Sequence, residues 1–380
     1  MNNRPTGRRF LLLYLRTGGG HAAAASAISE QIRSRSPESV VIPLDGVPAG
    51  SVVQRVFVES GYRLTGIQLP IFWAGLYEIS KLRIFQDIYA PLMGAFSTRH
   101  IARAIMVNDI TDVVVFHYLL ARQLRAAVRS LGKTVRVTVI VTDPFSAHPI
   151  WFYKHRFPTI VFSDRARASA IAPGLLPAGK VAVFPPILRP QFDTTPSPTR
   201  LERVRKEFGL SIERPMLLIA AGGDGLPGGS KTLRAISASR IDADIVVVCG
   251  RDQLFLRSAL RVAKRHTSGL VVVRGYVETI RELMCLASII VTKAGPAMVM
   301  EALLLGRPLI ISRYAYGQER GNVDFVVRNR LGFYEDNPRR IAHLVGKLLA
   351  DTGLRNDIQK RIATFELRNG TDAIVDWLIS

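Results

Sequence analysis

Two cysteines in 380 residues leave no room for a disulfide framework. Cys249 and Cys285 both lie in apolar runs and read as buried free thiols of a reducing compartment. Long hydrophobic runs are missing too. The longest stretch without a charged residue is Leu64–Tyr77, with Pro70 in its middle, and a membrane-crossing helix needs ~20 apolar residues. The apolar run Phe10–Leu15 ends at Arg16, where a secretory signal would continue to ~7–15 residues. The chain therefore reads as soluble or peripheral. Acidic residues are scarce, 30 against 51 lysines and arginines, for a net charge of +21 shared by both halves. That field draws polyanions: an anionic membrane surface, nucleotide phosphates or nucleic acid. Zinc-finger spacing, an RNP motif and a bZIP basic region are all lacking, which argues against nucleic acid. No Asp-x-Asp motif or metal-ligand spacing points to a metal.

Hydrophobic residues make up 48% of the chain, enough for extensive burial, and the length suggests two domains. The pattern is α/β. Phe10–Leu15 is an uncharged strand buried on both faces, then Gly18, Gly19, Gly20 and His21 form a glycine loop before a helix over Ala22–Arg35. The loop is neither the dinucleotide G-x-G-x-x-G fingerprint nor a P-loop. Its glycines permit close backbone approach, and His21 is its one titratable side chain. Strands over Val40–Leu44, Asp112–Phe116 and Arg136–Thr142 follow. The last ends at Asp143, with His148 and Trp151 just beyond, at the strand end where open α/β sheets place chemistry.

Val52–Phe96 stands apart. Phe72 and Trp73 lie among many apolar and aromatic residues, interleaved with bases such as Lys81 and Arg83. Rings beside cations suit a membrane interface, and equally an apolar helical core or a dimer interface. Asp193–Thr199, rich in Pro, Ser and Thr, reads as a linker and sets domains of 1–192 and 193–380, with the last helix able to pack back on the first domain.

The second half restarts the pattern with a strand over Met216–Ala221 and a second glycine loop, Gly222, Gly223 and Gly225, another candidate diphosphate cradle. Later comes a strand over Ala287–Val291, then Lys293, Gly295 and Pro296, a helix over Met298–Leu305 with one acid, Glu301, and a strand over Pro308–Ser312. A polar loop with Gln318, Glu319 and Asn322 closes that stretch. Two facing α/β domains with a cleft between them are the expected architecture.

Six motifs together name a resemblance: GGGH at 18–21, VTDPFSAHPIWF at 141–152, GGDG at 222–225, VVCGR at 247–251, VRGYV at 273–277, and TKAGPAMVMEAL with GQERGN at 292–322. The chain resembles the monogalactosyldiacylglycerol synthases and the related bacterial diacylglycerol glucosyltransferases, within the MurG-like GT-B glycosyltransferases of family GT28. The resemblance implies two Rossmann-like domains and an inverting transfer of galactose or glucose from a UDP-sugar to 1,2-diacylglycerol. It implies no metal or other cofactor, an anionic membrane surface as partner, and a cytoplasmic protein held peripherally at the inner face of the cell membrane. By the same resemblance, the backbone of Gly275, Tyr276 and Val277 would hold uracil, Glu301 the ribose, and the Gly222–Gly225 loop with the turn at Gly295 and Pro296 the diphosphate. Lys293 would stand near the phosphates and Gln318, Glu319 and Asn322 beside the sugar, with Arg251 also on the donor side. The acceptor would enter past Gly18–Gly20, His148 and Trp151. His21 is the candidate base; Asp143 is the second candidate, or the group that orients it. Ala22–Ala25 stand where the family has an arginine and a serine, and Ala297 replaces a glycine. A MurG-like transferase on another lipid-linked acceptor, a UDP-N-acetylglucosamine 2-epimerase type of isomerase, and a non-catalytic membrane-surface protein are the alternatives.

Overall fold

A computed structural model of the chain describes residues 7–16, 19–48, 50–51, 70–223, 225–266 and 268–380, without the side chains of 70, 71, 73 and 88–96. These residues form two compact units. One comprises residues 1–190 with Tyr316–Gln318 and Asn369–Ser380; the other comprises Gln191–Ala315 and Glu319–Arg368.

The first unit holds six parallel strands, β1 (Arg9–Tyr14), β2 (Val40–Asp45), β3 (Asp112–Val115), β4 (Arg136–Ile140), β5 (Thr159–Val161) and β6 (Val181–Val183), in the order β2-β1-β3-β4-β5-β6. Its period-two alternation splits the core in two. Leu11 and Leu13 of β1 pack with Val113, Val115, Ile101 and Ile105 on one face. Phe10 and Leu12 pack with Ile28, Ile32, Ile374 and Val375 on the other. The second cluster joins the helix Gly19–Arg35 to the last helix, Thr371–Ile379. Arg35 pairs with Asp372 at 2.8 Å and with Asp376, and Gln31 Nε2 donates to Asp372 Oδ1 at 2.6 Å.

The second unit repeats the scheme with β7 (Met216–Ala220), β8 (Asp244–Val248), β9 (Val271–Arg274), β10 (Ile289–Lys293), β11 (Leu309–Arg313) and β12 (Gly332–Tyr334), all parallel, in the order β12-β11-β10-β7-β8-β9. β7 and β8 are buried along their whole length, which explains their unbroken apolar sequence. In each sheet the strand order reverses once, between β1 and β3 and between β7 and β10. The crevice outside the carboxyl ends of such a pair is where open α/β sheets bind ligands.

Several elements differ from the sequence reading. The first helix begins at Gly19, so Gly20 and His21 lie in its first turn and not on a loop. Glycine is poor in a helix interior, but a first turn makes few of the bonds that it would weaken. β10 runs on to Lys293, and the following helix starts at Pro296. The 319–322 stretch is not wholly loop, because Glu319 caps a helix Arg320–Arg328 that contains Asn322. That helix and β12 were not foreseen. Their residues include glycine and β-branched valines, and only the burial of Val323 and Val326 against the sheet makes the helix worth forming. Cys249 is buried, which pushes its thiol up to about 12, whereas Cys285 is only half-buried. Among the described residues no helix is long and apolar enough to cross a membrane.

Candidate functional site

In the first unit, the loops after β1, β3 and β4 converge on a buried set of rings. His21 is 5% exposed, and its Nδ1 lies 2.8 Å from Thr142 Oγ1, just past β4. Burial lowers its pKa to about 4, against a smaller opposing pull from the Phe116 carbonyl. The ring is therefore neutral at neutral pH, with a lone pair able to take a proton. His117 packs edge-on against it, centroids 4.7 Å apart, and Trp151 lies 6.3 Å away. His117 caps the helix Tyr118–Leu131 by accepting from the Leu119 amide at 3.2 Å through Nδ1, which leaves its proton on Nε2. Burial, and then the nearby His21, hold its pKa well below the usual value.

Asp143 does not reach His21 through a bond that the structure shows. Its Oδ2 accepts from Trp151 Nε1 at 2.9 Å, and its Oδ1 accepts from Gln318 Nε2 at 3.3 Å within the same unit. His148 caps the short turn Pro149–Trp151, and its Nε2 meets Ser80 Oγ at 3.1 Å. Burial lowers its pKa to about 4. Sequence reasoning missed Thr142 and His117. Thr142 directly precedes Asp143, and His117 directly follows a strand, so position at a strand end was the available signal.

Nothing within 4 Å would meet a Cβ at Gly19 or Gly20. Gly18 and residues 52–69 lie outside the described residues, as do the side chains of 70, 71, 73 and 88–96. Of the aromatic and basic set, Phe72 is 59% exposed, Arg83 is exposed, and Lys81 pairs with Glu78 at 2.6 Å. Ile79, Leu82 and Ile84 are exposed beside them.

The second unit builds its loops from backbone. Gly222, Gly225 and Gly250 have φ of 74°, 77° and 60°. A Cβ at Gly250 would lie 2.6 Å from both the Gly222 and Gly223 carbonyl oxygens, and one at Gly225 would lie 2.7 Å from Asp252 Cβ. The Arg251 amide donates to the Gly223 carbonyl at 2.8 Å, so the turns after β7 and β8 close on each other. Gly275 after β9 comes within 3.5 Å of the Gly250 carbonyl by the same measure, and the Arg251 guanidinium stands 5.7 Å from the centroid of the exposed Tyr276 ring. Val277 is partly buried against the core next to it.

After β10, the Ala294 amide donates to the Arg313 carbonyl at 2.8 Å, and Gly295 then caps the helix Pro296–Leu304, with Pro296 at its first position. Lys293 Nζ stands 4.0 Å from Glu319 Oε1, while Glu319 Oε2 accepts from the Ala315 amide at 2.8 Å. Asn322 is 2% exposed. Its Nδ2 donates to the Ala294 carbonyl at 2.8 Å, and its buried Oδ1 has no hydrogen-bond partner. Glu301 is equally buried on the Pro296–Leu304 helix. The structure thus gathers Gly222, Gly223, Gly225, Arg251, Gly275 and Tyr276 in one group, and Lys293, Gly295, Glu319 and Asn322 in another, both at the carboxyl edge of the second sheet.

Two doubly wound parallel sheets, each with its loops gathered at a strand-order reversal, define a GT-B fold. Solved structures share it: Acinetobacter baumannii MurG covers 98% of this chain and 99% of its own at a TM-score of 0.59 and 15% identity. A putative UDP-N-acetylglucosamine 2-epimerase from Listeria monocytogenes covers 98% and 96% at 0.63 and 12%. The family model for monogalactosyldiacylglycerol (MGDG) synthase matches residues 21–183, and that for the glycosyltransferase family 28 C-terminal domain matches residues 230–355. The chain is thus similar to the monogalactosyldiacylglycerol synthases in its first unit and to glycosyltransferase family 28 in its second. It is 28% identical over 361 residues to the chloroplastic monogalactosyldiacylglycerol synthase of Spinacia oleracea, a match spanning 90% of this chain and 66% of that protein. The corresponding protein of Nicotiana tabacum is 27% identical and covered to 64%, so the chain spans just under two thirds of these relatives.

Proposed function

We propose that the protein transfers a hexose from a UDP-sugar to the free hydroxyl of 1,2-diacylglycerol, inverting the anomeric centre to give a β-monoglycosyldiacylglycerol. The observation that carries this reading is the buried, neutral His21 in a unit that matches the monogalactosyldiacylglycerol synthase model. The acceptor hydroxyl attacks the anomeric carbon, the bond to the UDP oxygen breaks, and His21 takes the hydroxyl proton. Thr142 orients the ring, and the imidazolium that forms must be stabilised in a dry site, a role assigned to Asp143, which holds the neighbouring Trp151 ring.

The second unit would hold the donor. Its glycine turns bring backbone amides close to the diphosphate, with Gly275–Val277 on uracil and Glu301 on the ribose hydroxyls. Glu319 and Asn322 are assigned to the sugar, together with Gln318, which belongs to the first unit. The leaving UDP gains negative charge, and Lys293 with the first turn of Pro296–Leu304 can offset it, so the reaction needs no metal ion. The exposed Phe72, Ile79, Leu82 and Ile84, beside Lys81 and Arg83, support docking on the inner face of the cell membrane, where diacylglycerol is met.

The test is purified protein with diacylglycerol in vesicles containing phosphatidylglycerol, given UDP-galactose or UDP-glucose, with and without a chelator. A β-linked glycolipid from one donor, at a rate unchanged by the chelator, is expected. No glycolipid from either donor overturns the reading, and sugar turnover without acceptor would redirect it to an isomerase.

A further inference from the structure

Seven exposed cations of the second unit share one layer of helices. Gly229–Ala238 lies between Gln253–Ala263 and Pro338–Ala350 and packs against both. Lys231, Arg234, Arg257, Arg261, Arg339, Arg340 and Lys347 are exposed on these three helices, and no aspartate or glutamate stands on any of them. Lys264 and Arg265 extend the row just past Ala263, while Asp242 and Asp351 lie outside the helices. None of the seven helical cations has an ion-pair partner among the described residues. Three other helices of the unit are mixed in sign and paired: Arg205 and Lys206 with Glu202, Arg281 with Glu282, and Arg320 and Arg328 with Asp324. A solvated face that merely aids solubility would mix both signs.

Two further observations say what covers this layer. Leu254 is 78% exposed and Leu260 43%, on the same helix as Arg257 and Arg261. A groove of about 470 Å³ opens between Ser239 and Ile241, just past the Gly229–Ala238 helix, and the helix Pro338–Ala350, with Arg339, His343 and Lys347 a turn apart along one wall and Gly346 also lining it. Cations flanking exposed leucines suit lipid headgroups over acyl chains. Phe255, the one Phe, Tyr or Trp on these helices, is buried, which leaves the His343 imidazole as the single exposed ring for base stacking.

We propose that this helical layer of the second unit docks on an anionic phospholipid surface, with Leu254 entering the headgroup region and the Arg339–Lys347 groove taking a phosphate headgroup. The proposal does not depend on the catalytic reading.

The full-length protein is sedimented with phosphatidylcholine vesicles with or without phosphatidylglycerol, and its retention on duplex DNA is measured in parallel. Wild type should partition onto the phosphatidylglycerol vesicles in a salt-sensitive way. Arg257→Gln with Arg261→Gln should weaken that partition about twentyfold, and Leu254→Ser severalfold, with circular dichroism unchanged. All three positions are solvent-exposed, so folding is spared. Partition of the arginine pair equal to wild type overturns the proposal. So does an unaffected Leu254→Ser combined with DNA retention that the arginine pair abolishes, which would make the layer a nucleic-acid surface.

Discussion

At the strand reversal of the first sheet stand His21, His117 and Trp151, all buried, with histidine pKa values pushed down by desolvation. At that of the second stand Gly222, Gly225 and the adjoining Gly250, which bring carbonyls and amides together with no side chain between them. One site is made of side chains held dry, the other of bare backbone held close. A proton acceptor needs a defined lone pair and a tuned pKa, which only a side chain supplies. A diphosphate needs several amides at once, and a Cβ at Gly250 would stand 2.6 Å from two carbonyl oxygens that shape the turn.

The strongest test of that contrast is His21→Asn, which keeps a polar group beside Thr142 but removes the proposed base. Turnover should fall about 10²–10⁴-fold, while protection of the protein by UDP against thermal unfolding stays as in wild type. If UDP protection vanished as well, the division of labour would fail. Gly250→Ala should act in the opposite sense. It is expected to cost about 2–4 kcal/mol in urea unfolding of the second unit and to abolish UDP protection, because the turns after β7 and β8 can no longer close.

Acid should distinguish the two sites next. His21 and His148 have folded pKa values of about 4, lower than in the unfolded chain. The folded state therefore binds fewer protons than the unfolded state between those values. The stability from keeping these rings neutral is fully present above about pH 6.5 and is lost as pH falls through about 4, on the order of 3 kcal/mol per ring. Urea midpoints followed across that range should shift, and His148→Asn should reduce the slope. The acid limb of kcat/KM should fall near pH 4, and a limb at 6.5 would mean that His21 is not the base. Smaller still, Glu301→Gln should weaken UDP binding by about 1–2 kcal/mol, read by calorimetry. Gly19→Ala should change stability by less than about 1 kcal/mol, and in the favourable direction, because open space surrounds that position. The same substitution at Gly250 and Gly19 would then have opposite signs in the two units.

The α/β class and the strands β1, β3, β4, β7 and β10 were legible because strands buried on both faces leave unbroken apolar runs. The helix Arg320–Arg328 was not, since Gly321 and the valines after it have weak helix propensity and their burial against the sheet is a tertiary gain. For the same reason the GGGH stretch read as a loop, although Gly19, Gly20 and His21 are helical. Of the site, the residues singled out were those in recognisable motifs. Thr142 and His117 escaped because their importance lies in which ring they touch, 121 residues away in the case of Thr142. Gly250 was visible only as part of VVCGR, and its close approach to the loop after β7 is a fact of strand order.

By itself the sequence determined the alternation of strands and helices, the excess of positive charge and the motif set, since each is a local pattern of residue types. Tertiary structure alone decided that His21 is buried and neutral, that Asn322 holds the Ala294 carbonyl, and that seven cations share one helical layer. Desolvation, hydrogen-bond partners and the facing of helices depend on distances between residues far apart in the chain, and those exist only once the sheets have formed.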